Sequence, residues 1–368
     1  MQAKPEDREN RKRLANEARV LLCASLMILS AARNGTPADA PVKASAGIEI
    51  TSIPLPGAAP GGVMLDYLAI DRVRHQVWVP AGGTGNTVVI DTKTQAIHRV
   101  EKFPTQEIER RGTKRLVGPS SATVGEGVVY VGNRGDSTVC AVDAKALTRG
   151  SCVTLSSMPD GLAFVPSRKE VWVTTPREQS ITVLDVSTPG APKLAGTIKL
   201  EGTPEGYAVD DGRGTFYTNL EDKDRTLAID LQTRKTAATW KPNCGEDGPR
   251  GLRVDAAAGQ LFVACTARVE VLDLAHDGAV LSTLDTGDGV DDFDYAAATQ
   301  LVYVGAAKAG RLTVARVDPH GKLTLVATVA TPQGARNPVV TDGGVVYLAH
   351  TLSLGALNDL AVVSPATK

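Results

Sequence analysis

Four signatures of common catalytic machinery are missing from this 368-residue chain. There is no CxxCH, which excludes covalently attached c-type haem and with it the usual route to direct electron transfer. There is no GxxxxGK[ST], no HExxH and no GxSxG, so P-loop, zinc-protease and nucleophile-elbow chemistries have no residues to run on. Glycine-rich GGTGNT at 82–87 joins two strand signals instead of opening a helix, so no helix N-terminus is available there to hold phosphate. Aromatics make up only 4% of the chain and histidines number five. The formal net charge is -1, which gives no bulk attraction to nucleic acid or another polyanion. No segment keeps apolar residues at i, i+3 and i+4 through several turns, so a helical fold is excluded.

What is present begins with a charged stretch, KPEDRENRKRLANEAR, ahead of VLLCASLMILSAA. That apolar run, Val20 to Ala32, is too short to span a bilayer and ends in small residues suited to cleavage. Residues 1–32 are therefore expected to be a signal peptide and 33–46 a linker, with no membrane span once the signal is cleaved. The chain is expected in the periplasm or secreted. Cleavage would remove six basic and four acidic residues, leaving a formal charge of -3, and would leave Cys140, Cys152, Cys244 and Cys265. An even cysteine count suits an oxidising compartment. Cys140 and Cys152 flank one turn and are expected to pair, as are Cys244 and Cys265. Paired close spacing of the zinc-site kind is absent.

A repeat dominates the remainder. Aromatic-centred strand signals recur at Trp78, Tyr130, Trp172, Tyr217, Phe262, Tyr303 and Tyr347, and each of the first six is followed by a second signal ending in aspartate. A period in the low forties built from short β runs is the signature of propeller blades. Asp91, Asp143, Asp185, Asp230 and Asp273 are expected to cap the turn from the third to the fourth strand of their blades. The seventh copy stops early, and GIEITSIPLP near the start has no blade of its own. The expected fold is all-β, a seven-bladed β-propeller over 47–364 with an N-terminal strand completing the last blade, followed by a tail at 365–368.

GLAFVPSRKEVWVTTPREQSITVLDVST and GYAVDDGRGTFYTNLEDKDRTLAIDLQT resemble the YVTN-repeat β-propellers, exported bacterial proteins of the YncE type. The resemblance covers nearly all of the chain beyond residue 46. It implies this fold, but no shared catalytic residues, and it makes single-stranded DNA a possible ligand by analogy. A strand-binding groove would need basic charge and stacking platforms; the loop QEIERRGTKRLVGP carries Arg110, Arg111, Lys114 and Arg115, and Tyr67, Phe103 and Phe293 are the available rings.

Function is expected where the blades stop being alike. The residues opening the first strand of successive blades are Asp66, Pro119, Asp160, Glu205, Arg250, Asp291 and Arg336, and the next are Tyr67, Ser120, Gly161, Gly206, Gly251, Asp292 and Asn337. Two positions on, where other blades carry alanine or valine, stand Arg253 and Asp294. The pattern predicts an Arg253–Asp294 pair, with Arg250 facing Asp291 and Asp292. It also predicts a charged mouth ring made by Asp66, Tyr67, Asp160, Glu205, Arg250, Asp291, Asp292, Arg336 and Asn337. That ring would bind a small polar ligand or a protein partner. No cofactor is expected, although Asp285, Asp288, Asp291 and Asp292 offer oxygen ligands for calcium. The alternative is a lactonase- or cycloisomerase-like enzyme acting on a small polar acid or lactone, with Glu205 as base, Arg250 or Arg336 stabilising an oxyanion and His350 moving a proton.

Overall fold

A computed structural model describes residues 48–57, 63–110, 112–350 and 359–365. The expected signal peptide, the linker, the body of the loop after His350 and the last three residues lie outside them.

Strands b and c of each repeat are apolar on both faces, and they end up buried on both faces. Glu170–Thr175 is buried at all six positions, whereas an outer strand such as Thr148–Thr154 is almost wholly exposed. Seven four-stranded antiparallel sheets result. Blade 1 comprises Ala69–Asp71, Gln76–Pro80, Thr87–Asp91 and Ile97–Val100, named a to d from inside to outside. Blades 2 to 6 follow the same order, with strands a at Pro119–Val124, Leu162–Val165, Pro204–Asp210, Pro249–Asp255 and Val290–Ala296. In blade 7, strands Ala335–Val340, Val346–His350 and Asp359–Pro365 take their outermost partner from the other end of the chain. Ile48–Pro54 pairs antiparallel with Asp359–Pro365, from Ile48 opposite Pro365 to Pro54 opposite Asp359. The seven-bladed propeller closed by an N-terminal strand is thus the fold adopted.

The scarce aromatics are spent between blades. Trp78, Trp172, Phe262 and Tyr347 have no exposed surface, and Tyr130, Tyr217 and Tyr303 little. Trp172 of blade 3 meets Phe216 of blade 4 at 4.9 Å between ring centroids, and Phe262 of blade 5 meets Tyr295 of blade 6 at 4.6 Å. Each such ring buries enough surface that truncation to alanine would cost about 3–5 kcal/mol. The repeated aspartates act as the sequence implies. Asp91 Oδ1 accepts the amides of Lys93 and Thr94, and Asp143 Oδ1 those of Lys145 and Ala146. Those amide bonds hold both carboxyls below the usual range.

The long first interval contains a two-stranded hairpin, Gln106–Arg110 with Thr113–Val117, inserted between blades 1 and 2. It packs beside the tight turn Gly82–Thr84, which is where the GGTGNT segment joins strands b and c. Both expected disulfides are present. Cys140 and Cys152 face each other across strands c and d of blade 2, and Cys244 ties the approach to blade 5 to the end of its strand b at Cys265.

Candidate functional site

The seven strands a touch one another around the ring and line the central channel. Where they open, five of them slip register against strand b: at Pro119/Ser121, Glu205/Tyr207, Pro249/Leu252, Val290/Phe293 and Arg336/Pro338. An extra residue of this kind bends the strand and redirects its side chains. Backbone approach at these bulges leaves no room for a side chain at Gly206. Its φ is +41°, and an added Cβ would lie 2.1 Å from the Arg250 carbonyl oxygen. Charged residues on either side are thereby turned toward the channel mouth.

There the side chains form a connected network. Arg134 donates to Asp66 Oδ2 at 2.9 Å and to Asp160 Oδ1, and its Nε donates to the Pro159 carbonyl at 3.2 Å. Arg336 donates to Asp291 Oδ2 at 2.7 Å. Asn337 Nδ2 donates to the same oxygen at 2.9 Å while its Oδ1 accepts the Asp292 amide. Arg253 grips Asp292 with two bonds, at 3.0 and 2.9 Å, and lies 5.6 Å from the centroid of the Phe293 ring. Arg250 pairs with Glu221. Tyr67 of blade 1 donates its hydroxyl to Glu205 Oε1 of blade 4 at 3.0 Å, and its ring stands 5.6 Å from that of Tyr207. Blades 1 and 4 are not neighbours, so Tyr67 crosses the axis of the channel.

The expected Arg253–Asp294 ion pair is present, through Nε at 3.5 Å, although Arg253 makes its shorter, bidentate contact with Asp292 while Asp294 also accepts the amides of Tyr295 and Val340. One pairing differs from the expected one. Arg250 faces neither Asp291 nor Asp292. The bulge at Pro249/Leu252 turns it back to Glu221 of blade 4, and Arg336 takes Asp291 instead. Two members of the network, Arg134 and Glu221, were not in the expected ring. Both stand four residues after the blade aromatic, at a position occupied in the other blades by Gly82, Pro176, Thr266, Ala307 and Thr351. They are the only charged residues there, and comparing the blades at that register would have found them.

Burial and crowding set the protonation of the acids. Burial raises Asp160 to about 7 against the pull of Arg134, with Asp66 and Asp291 adding to the rise. Glu205 is pushed well above the usual range by burial and then by Asp160, Asp291 and Asp66. Asp292 rises to about 6, burial outweighing Arg253. Burial also opposes ionisation of Asp291, but Arg336 and Asn337 outweigh it and hold that carboxyl low.

His350 does not join this set. It is buried, with Nδ1 2.6 Å from Asp359 Oδ1 and Nε2 3.0 Å from the Gln333 carbonyl, so both ring nitrogens are engaged in blade 7. Of the carboxylates suited to calcium, Asp285 is exposed at the end of strand d, Asp288 pairs with Lys308, and Asp291 and Asp292 belong to arginines. Among the described residues, no three histidine, cysteine or carboxylate side chains are grouped to hold a metal ion. Tyr67, Phe103 and Phe293 are buried and present no open ring face to a base. Lys114 pairs with Glu107 across the hairpin. A groove of about 640 Å3 lies away from the channel between blades 3 and 4, lined by residues including Leu200, Leu220, Lys223 and Arg225.

The sequence matches no protein-family model and no curated protein. Solved structures share the fold. One chain of the mitotic checkpoint complex crystal structure superposes with a TM-score of 0.67 at 13% identity, covering 95% of this chain and 100% of that one. A chain of hydrazine synthase from Kuenenia stuttgartiensis superposes with a TM-score of 0.67 at 15% identity, covering 86% and 99%. At such identities the likeness establishes the propeller and nothing about its ligand.

Proposed function

We propose that the chain is an exported β-propeller of the YVTN-repeat type that binds a small polar ligand or a protein partner at its mouth ring, without catalysis. One observation carries this reading: charged side chains from all seven blades converge on a single opening, from Asp66 in blade 1 through Arg134, Asp160, Glu205, Arg250 and Asp291 to Arg336 in blade 7. Structural ion pairs would serve as well between any two blades; concentration at one mouth is what a ligand site needs. Two disulfides fit an oxidising compartment and so support export.

The test is the melting temperature of the chain against calcium, sugar acids and their lactones, short amines, peptides and oligonucleotides. A ligand at a hundred times its Kd stabilises by about 2.7 kcal/mol, a readable shift. Loss of that shift in Arg336→Ala supports the mouth as the site, whereas no shift with any ligand removes the reading.

The enzymatic reading keeps one supporting observation. Glu205, its carboxyl pushed well above the usual range by burial and then by Asp160, shares the mouth with Arg336, a shift in the direction a general acid requires. It proceeds without His350. Turnover of a lactone that disappears in Glu205→Gln would favour it.

A further inference from the structure

The mouth ring is unevenly satisfied. Each of its four guanidinium groups is already in an ion pair: Arg134, Arg250, Arg253 and Arg336 all have carboxylate partners. Two carboxyls are not so matched. Asp160 is 8% exposed; its Oδ1 takes Arg134, but its Oδ2 is buried with no hydrogen-bond partner. Glu205 receives only the Tyr67 hydroxyl, and among the described residues no lysine or arginine nitrogen comes within ion-pair distance of it.

A buried carboxylate oxygen left without a donor is costly, because its lost hydration is not replaced. The group that removes the cost must bring N–H or O–H donors, and positive charge if it is to offset the surplus of acids. Chloride, phosphate or a sugar acid would have to displace a carboxylate from an arginine first. A primary ammonium carries three donors and a full charge in a compact head, which suits two carboxyls from adjacent blades 3 and 4.

We propose that the mouth ring is a receptor for a small organic ammonium ion, whose nitrogen is held between Asp160 Oδ2 and Glu205. The inference rests on the mouth being a ligand site and names the class of ligand it takes.

Isothermal titration of the whole chain with putrescine tests it, with 1,4-butanediol as the neutral analogue of the same length, succinate as the anionic one and calcium as the metal. Putrescine is expected to bind, and butanediol and succinate are not. Asp160→Asn and Glu205→Gln, which keep shape while removing charge, are each expected to weaken putrescine at least tenfold. Asp342→Asn, at an exposed pair on the opposite face, is expected to leave it unchanged. Circular dichroism shows whether each variant is folded, and the Glu205 variant serves should the Asp160 variant fail. Succinate binding without putrescine would overturn the ligand class and leave the mouth as a site. Calcium binding lost in the same variants, or putrescine binding that neither variant alters, would also overturn it. No binding by any probe would overturn the ligand class, while the wider melting panel decides whether the mouth is a ligand site at all.

Discussion

Replacing Arg253 with methionine removes a cation while keeping most of the stem that fills its space. Asp292, whose side chain is 6% exposed, then loses both of its charged bonds. Breaking a buried pair from one side typically costs about 3–5 kcal/mol. Here the cost depends on pH. The native pKa of Asp292, about 6, is already above its ordinary value, so its ionised form destabilises the fold. Loss of Arg253 raises that pKa further. Below pH 6 the carboxyl is protonated in both proteins and the difference is small. Above pH 6 the variant pays an additional 1.4 kcal/mol or so per pH unit until its own pKa is passed. The variant should therefore melt roughly 8 °C below the parent at pH 8 and only about 3 °C below it at pH 6, taking about 2 °C per kcal/mol for a large domain. Adding Asp292→Asn to the variant should recover most of the loss at pH 8. An equal loss at pH 6 and 8, or no recovery in the double variant, would refute the assignment of Asp292 as the partner.

Gly206→Ala should lower the melting temperature by several degrees, since its Cβ would meet the Arg250 carbonyl at 2.1 Å, while Gly343→Ala, with nothing closer than 3.9 Å, should be neutral. Asp160 sits at about 7, above its ordinary 3.8, so native stability should fall as pH rises between those values and level off beyond them. Denaturation of Asp160→Asn at pH 5 and 8 should show a smaller fall than the parent, and an identical fall would exclude Asp160 as its source. Reduction of the disulfides, which close loops of 12 and 21 residues, should cost about 3 kcal/mol each. Unchanged melting with four titratable thiols would contradict that.

The fold was legible because a buried aromatic recurs in strand b of all seven blades and an aspartate closes strand c in the first six, packing between blades demanding the first and turn geometry the second. The disulfides followed from their positions on that map. The mouth was only partly legible. Alignment of strands a puts Asp66, Asp160, Glu205, Asp291 and Arg336 at one register, and the structure brings these side chains into one network. Partners were harder, because pairing assumed unbroken register and the bulge at Pro249/Leu252 swings Arg250 toward blade 4. His350 looked like a loop residue next to the mouth; only its contacts with Asp359 and Gln333 reveal a strand end built into blade 7.

The strand that completes blade 7 also sets an order of events. Ile48–Pro54 emerges from the ribosome about three hundred residues before Asp359–Pro365, the segment it must join. Closing an unfolded loop of that length would cost about 5 kcal/mol of chain entropy, a cost that prior assembly of the blades between the two segments lowers. Blades 1 to 6 assemble from neighbouring hairpins, so they can form while the chain is still arriving. Blade 7 cannot, and until its end arrives the first strand waits with an open edge. Ring closure is then the slow, final step of maturation, and anything that captures that waiting strand competes with the native molecule for its own last piece.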